Sequence, residues 1–301
     1  MKKVLATALS AALALGLAAC GGAPASSGAA SSAPAASVAA SGAAASASGE
    51  TTVLKIGASP APHAEILEHA AELLEEQGIT LDIVEFDDYV MPNTALAEGS
   101  LDANYFQHQP YLTNFNAEQG TSLVSAGAIH YEPLGVYAGK SDDLANVPDG
   151  AVIGVPADAT NGGRALLLLQ DQGVLTLKDG IDLDYFRNAE DISFSEYDGI
   201  AENPHNVKIM AMEAANLPAG LPDLDFAVIN GNYAIPAGIA DKLLATEDAA
   251  GDAAQVFANI IAVRTGDEGR ADIQALVNVL KSDEMKTWIT EKYAGSVLPV
   301  A

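Results

Sequence analysis

Val53-Leu54-Lys55-Ile56-Gly57-Ala58-Ser59-Pro60-Ala61-Pro62 is a short apolar run closed by a proline-rich turn, and together with the segment after it this run decides the fold. Ile66, Leu67, Ala70, Leu73 and Leu74 recur at helical spacing, while Glu65, Glu68, Glu72, Glu75 and Glu76 occupy the other side. Gln77-Gly78 ends that helix, and Thr80 to Phe86 then alternates apolar and polar residues as a strand does. Strand, turn, amphipathic helix, strand is the repeating unit of an α/β protein with mostly parallel sheets. Working outward, strands are expected at Val124–Ile129, Val152–Val155, Val207–Met212, Phe226–Ile229 and Val256–Val263. Helices are expected at Asn93–Glu98, Pro110–Gln119, Arg164–Gln172, Ile273–Leu280 and Asp283–Tyr293.

The first 50 residues do not belong to this pattern. Lys2 and Lys3 precede an apolar run that ends in Leu17-Ala18-Ala19-Cys20, the layout of an export signal. An apolar residue, two alanines and a cysteine resemble a bacterial lipobox, so Cys20 is the expected lipidation site and first residue of the mature chain. Residues 21–49 carry no charge and no aromatic ring. Such a segment cannot bury enough apolar area to offset its conformational entropy, and as a flexible tether it would span roughly 30 Å. Each acyl methylene buried in a bilayer contributes ~0.8 kcal/mol, so several chains on one cysteine anchor firmly.

Composition excludes several functions. The formal charge is −26, from 14 Lys+Arg against 40 Asp+Glu, and loss of Lys2 and Lys3 makes it more negative. So acidic a surface repels phosphate backbones, which argues against nucleic acid as a partner. The only cysteine is Cys20, so no disulfide and no Cys-ligated metal site can form within the chain. No G-x-S-x-G elbow, Walker A loop or G-x-G-x-x-G after a strand occurs. The five histidines, His63, His69, His108, His130 and His205, are scattered without metal-ligand spacing. No catalytic group, cofactor or metal ligand is therefore assigned.

Gly- and Asp-rich breaks at 137–150 and 238–254 suggest two passages between lobes. The expected organisation is a signal at 1–20, a tether at 21–50, one lobe from 51–137 and 246–301, and a second from 138–245. A cleft between lobes favours a small ligand. Four features could serve it. Asp158-Ala159-Thr160-Asn161-Gly162-Gly163-Arg164 follows a strand and opens a helix; two glycines allow close backbone approach, and helix N–H groups attract anions. Arg164 offers a planar two-pronged donor to a carboxylate, either a ligand's or that of a structural ion pair. Asp102 to Tyr111 packs four rings into seven residues, as pocket lining or as core. Glu132 in Ile129-His130-Tyr131-Glu132-Pro133 could receive an ammonium, and Asn230 ends an apolar strand.

These stretches, with Asp88-Tyr89-Val90-Met91-Pro92-Asn93, Glu132-Pro133-Leu134-Gly135, Leu175-Thr176-Leu177-Lys178-Asp179-Gly180, Glu202-Asn203-Pro204 and Ala227 to Ala234, resemble the methionine-binding lipoproteins of bacterial ABC importers in their order over residues 53–301. The resemblance implies a type II periplasmic-binding-protein fold: two α/β lobes with a ligand cleft between them. It implies a lipid-anchored, extracytoplasmic receptor, not an enzyme, which captures L-methionine and delivers it to a permease with its ATPase. Another amino acid or a methionyl dipeptide is the alternative ligand, and metal uptake a more distant one. On this chain Arg164 would hold the ligand carboxylate with Asn161 beside it, and Asn230 its polar end. Glu132 would take the ammonium, while Tyr89, Phe106 and His108 would enclose the side chain. Two departures stand out: the acidic run within Asp184–Gly199, and Tyr105, where a smaller residue is common. Facing the cleft, Tyr105 would narrow it.

Overall fold

The computed structural model describes residues 51–189 and 199–300. The expected signal at 1–20, its Cys20, the tether at 21–50 and residues 190–198 of the acidic run lie outside the described residues. The opening strand is β1 (Thr52–Ala58). It pairs in parallel with β2 (Ile79–Glu85) on one side and β3 (Ala103–His108) on the other. The helix Glu65–Glu75 makes the crossover between β1 and β2, with Ile66, Leu67, Ala70 and Leu74 buried against the sheet. Next in the chain come β4 (Leu123–Tyr131), β5 (Gly135–Ala138), β6 (Val152–Pro156), β7 (Thr176–Leu177) and β8 (Ile200–Glu202). The remaining strands are β9 (Lys208–Met212), β10 (Phe226–Ile229), β11 (Leu243–Thr246), β12 (Asn259–Arg264) and β13 (Leu298–Pro299).

They assemble into one sheet ordered β13-β4-β12-β3-β1-β2, a second ordered β11-β5-β10-β6-β9, and a ribbon of β7 and β8. The sheets are mixed rather than mostly parallel. β12 runs antiparallel to both β3 and β4, and β5 antiparallel to both β10 and β11. The reason is connectivity: β5 and β12 are the strands by which the chain enters each sheet from the other, without a helical crossover on the same sheet. Hydrophobic pattern marks a strand but carries no direction.

The chain leaves the first sheet after Tyr131 and enters the second at Gly135, so β5 lies whole in the second sheet and the expected boundary at 137 falls inside it. The polar break after β5 is its exit turn; the passage itself is Glu132-Pro133-Leu134. The return lies between Thr246 and Asn259, where Ala253–Val256 is helical and the expected strand starts only at Asn259. The helix expected at Arg164–Gln172 begins earlier, as Ala159–Asp171, because the Asp158 carboxylate caps the Asn161 N–H at 2.8 Å.

Each sheet has its own core. Leu54, Ile56, Ile66, Ile261, Leu276 and Ile289 are sealed beneath the first, and Val136, Ile153, Val155, Leu166, Leu169 and Phe226 beneath the second. Ile56→Ala is expected to cost ~2–5 kcal/mol, because close-packed neighbours cannot collapse into the space left. Denaturant unfolding of the purified protein measures it.

Candidate functional site

Strand ends of both sheets converge on one pocket, with about 350 Å3 of empty space, its mouth included. All seven residues expected to bind ligand line it. From the first sheet, the end of β3 supplies Phe106 and His108. β3 carries a bulge here: Tyr105 registers with Ile261 but Gln107 with Ile260, so Phe106 is the extra residue and is turned to the pocket. His108 then caps the helix Gln109–Gln119, its Nδ1 accepting the Tyr111 N–H at 3.1 Å, and its Nε2–H reaches Asn161 Oδ1 at 3.1 Å. Burial holds its pKa down to about 3, with the Arg164 charge acting in the same direction. It is a neutral donor.

Tyr89 precedes the helix Met91–Ala97. With Phe106 and Tyr111 it makes an aromatic box, ring centroids 5.7–6.0 Å apart. The Tyr111 hydroxyl donates to the Tyr89 carbonyl at 3.0 Å and fixes one wall against the other.

The polar end is built by the second sheet and the passage between sheets. Arg164 stands in the second turn of its helix rather than the first. Gly162 has a packing reason: a Cβ there would meet the Pro156 carbonyl at 2.8 Å. The two glycines are helical, and the close approach is to a strand end. Arg164 is 2% exposed. Its Nε and Nη2 donate to Glu247 Oε1 and Oε2 at 2.8 and 2.6 Å, and Nη2 also donates to the Glu132 carbonyl at 2.8 Å. The guanidinium lies 4.5 Å from the centre of the Phe257 ring. Burial works against its charge, and Glu247 more than restores it, so the arginine stays cationic. Arg164 therefore belongs to a structural ion pair and lines the pocket as well.

Asn161 accepts from Asn230 Nδ2 at 2.8 Å, and the Tyr89 hydroxyl donates to Asn232 Oδ1 at 2.6 Å. Asn230 Oδ1 and Asn232 Nδ2 are buried without a partner, one acceptor and one donor at the pocket wall. Glu132 is 5% exposed; its Oε2 lies only 2.4 Å from where a Cβ on Gly231 would stand. Any larger residue at 231 would push the carboxylate out of place. Burial raises the Glu132 pKa, while His63, Arg164 and the Asn232 backbone N–H oppose the rise.

Among the described residues, His63, His130 and Glu132 form a group whose nitrogen and oxygen atoms lie within 4.8 Å of one another, the spacing a small cation needs. The hydrogen bonds set a different role. Tyr105 caps His130 Nδ1, so His130 turns its Nε2–H to Glu132, while His63 gives its Nε2–H to Asn259 Oδ1. Tyr105 is fully buried in the core of the first sheet and does not line the pocket, so it does not narrow it.

Comparison with known proteins places this architecture. The family model described as NlpA lipoprotein matches residues 54–301. The chain belongs to the NlpA lipoprotein family. A relative from Bacillus subtilis (strain 168), named methionine-binding lipoprotein MetQ, is 39% identical over 257 residues, which cover 84% of this chain and 90% of that protein. The solved structure of a lipoprotein from Ruminococcus gnavus is 47% identical, with a TM-score of 0.78 over 83% of this chain and all of the other. A nutrient-binding protein from Burkholderia cenocepacia, described as bound to methionine, is 39% identical, with a TM-score of 0.75 over 82% of this chain and all of that one. The fold shared with NlpA-family structures is the two-lobed α/β fold of type II periplasmic-binding proteins.

Sequence reasoning missed Glu247, Asn232 and Tyr111 as site residues. Tyr111 lay in the ring-rich stretch and Asn232 in the stretch after Asn230, so both had a signal. Glu247 had none. Removing it leaves a buried guanidinium unpaired, so Glu247→Ala is expected to lose about 3–5 kcal/mol of stability and Glu247→Gln clearly less, both read by denaturant unfolding.

Proposed function

We propose that this chain is a lipid-anchored, extracytoplasmic receptor that captures L-methionine and passes it to an ABC-transporter permease with its ATPase. One observation carries the reading: a fixed cation, a buried carboxyl beside it and three clustered aromatic rings line one pocket. A free amino acid has that charge pattern, and a thioether against rings gains ~0.3–1.5 kcal/mol. The family name and the methionine bound by the Burkholderia relative support the same ligand.

Glu247 and the Glu132 carbonyl occupy Nε and Nη2 of Arg164, which leaves the Nη1 hydrogens for the ligand carboxylate. Asn161 flanks it, Asn230 Oδ1 accepts from the ammonium, and Glu132 balances the ammonium charge. Tyr89, Phe106 and His108 enclose the side chain. The two sheets act as lobes, and ligand contacts to both favour the closed form. The mechanism is binding and closure; no bond is made or broken. Lipid on Cys20 and the tether at 21–50 keep the receptor beside its permease.

Calorimetric titration of the purified protein, unfolded and refolded to strip carried-over ligand, is expected to give one-to-one binding of L-methionine. Silence from a folded protein toward methionine, with binding of another amino acid or a methionyl dipeptide, would reassign the ligand. Arg164→Ala should weaken binding by about 2–3 kcal/mol, roughly 30- to 150-fold. Because that variant also strands Glu247, Asn230→Ala provides the milder control, with a loss of ~1 kcal/mol expected. Unchanged affinity in both removes these residues from the site.

A further inference from the structure

Glu132 sits in a place where an isolated carboxyl would keep its proton, since burial disfavours the charged form. Yet an ammonium is recognised by a carboxylate, not by a carboxylic acid. The surroundings of Glu132 on the side away from the pocket answer this need. Its Oε1 lies 2.8 Å from His130 Nε2 and 3.5 Å from His63 Nε2. Behind His130, the Tyr105 hydroxyl bonds to Nδ1. Burial keeps Tyr105 protonated, its hydroxyl hydrogen has no other bond among the described residues, and the opposite nitrogen of His130 faces a carboxyl, so the phenol donates to Nδ1. Nδ1 is thus the acceptor and Nε2 must carry the hydrogen. His63 gives its Nε2–H to Asn259 Oδ1, 2.9 Å away, and stands beside Glu132 without donating to it. Tyr105, His130 and His63 do not line the pocket.

We propose that Tyr105 and His130 are positioning residues which hold an N–H donor on Glu132 Oε1, so that the carboxyl stays ionised with Oε2 turned to the ligand's α-ammonium. The inference rests on the amino-acid reading of the site and deepens it. The relay makes the receptor selective for a charged amino group, and it couples binding to pH.

The groups that face Glu132 account for the sign. Burial keeps both imidazoles neutral, His130 at a pKa of about 3 and His63, against the pull of Glu132, at about 4. They act as hydrogen-bond donors, not as cations. Arg164, from the helix of the second sheet, is the fixed positive charge nearby. Tyr89, Tyr137 and Tyr293 also sense the carboxylate, from the loop after β2, from β5 and from the last helix, and burial holds each as a neutral phenol. The carboxyl of Glu132 is therefore the group whose proton must leave when an ammonium arrives. Below its raised pKa, binding expels that proton and affinity falls about tenfold per pH unit; above it, affinity is flat.

Tyr105→Phe removes one oxygen and keeps the ring in the core. It frees His130 to adopt the Nδ1–H form, which turns a bare nitrogen on Glu132 and lets the carboxyl keep its proton. In purified protein, the acid fall in L-methionine affinity should then start at least about one pH unit higher than in the wild type. At neutral pH, the preference for L-methionine over its α-hydroxy analogue, which lacks the ammonium, should shrink at least roughly tenfold. Superimposable pH profiles and an unchanged preference would overturn the relay.

If Tyr105→Phe fails to fold, the wild type decides. Calorimetry in two buffers of different ionisation enthalpy should show no net proton release on binding at neutral pH, where Glu132 is already ionised, and release there would overturn the proposal. Binding of another amino acid in place of methionine would overturn only the methionine reading, because the ammonium is common to all. A wild type that does not distinguish ammonium from hydroxyl overturns the relay alone. A wild type that binds no amino acid overturns both.

Discussion

The bidentate pair of Arg164 and Glu247 joins the parts that could most easily move apart. Glu247 stands just after β11, where the chain leaves the second sheet. Its carboxylate also accepts from the Tyr131 hydroxyl at 2.6 Å and the Leu134 N–H at 2.9 Å, on the outward passage. The Glu247 N–H in turn donates to the Leu134 carbonyl at 3.0 Å. One buried ion pair thus ties both inter-sheet passages to the helix that carries the site. Burying two charges is expensive in general, and such pairs often stabilise less than an apolar replacement. Here the pair also positions a guanidinium at a pocket, which an apolar replacement could not do.

The same trade recurs beneath the aromatic box. Asn93, Asn104 and Gln107 form a closed network of side-chain amides, with bonds of 2.6–2.9 Å among them. All three are buried. A satisfied network of this kind defines one geometry, whereas an apolar plug would tolerate several. It holds the bulged end of β3, from which Phe106 and His108 reach the pocket. Asn93 and Gln107 thus belong to recognisable sequence stretches for two reasons at once, the support of a strand end and the shape of a cleft.

The periodic elements were legible because their signals are local. The helix Asp283–Tyr293 and the strand Phe226–Ile229 have the bounds that apolar spacing and flanking polar residues suggest. So were the polar residues at strand ends, since Asn230 and Glu132 interrupt apolar runs. The features that were not legible depend on contacts distant in sequence. Strand direction in the mixed sheets follows from which sheet the chain arrives from, and no residue encodes that. Glu247 pairs with an arginine 83 positions away and looks like any other of 40 acidic residues. Tyr105 was conspicuous, but its role depends on a single bulge that sends it to the core and Phe106 to the pocket.

Glycine at 231 links these levels. Asn230 follows β10 in extended backbone, and the helix Gly231–Ala237 starts at once, which brings its first turn against Glu132. Only a residue without Cβ leaves the carboxylate its place. The passage from the first sheet and the helix start of the second therefore meet at one oxygen. An ammonium seated there would touch Glu132 from one passage and Asn230 from the second sheet, while the rings of the first sheet cover the side chain. Opening the cleft separates those contacts, so the ligand's preference for the closed form follows from where the two sheets meet rather than from any one bond.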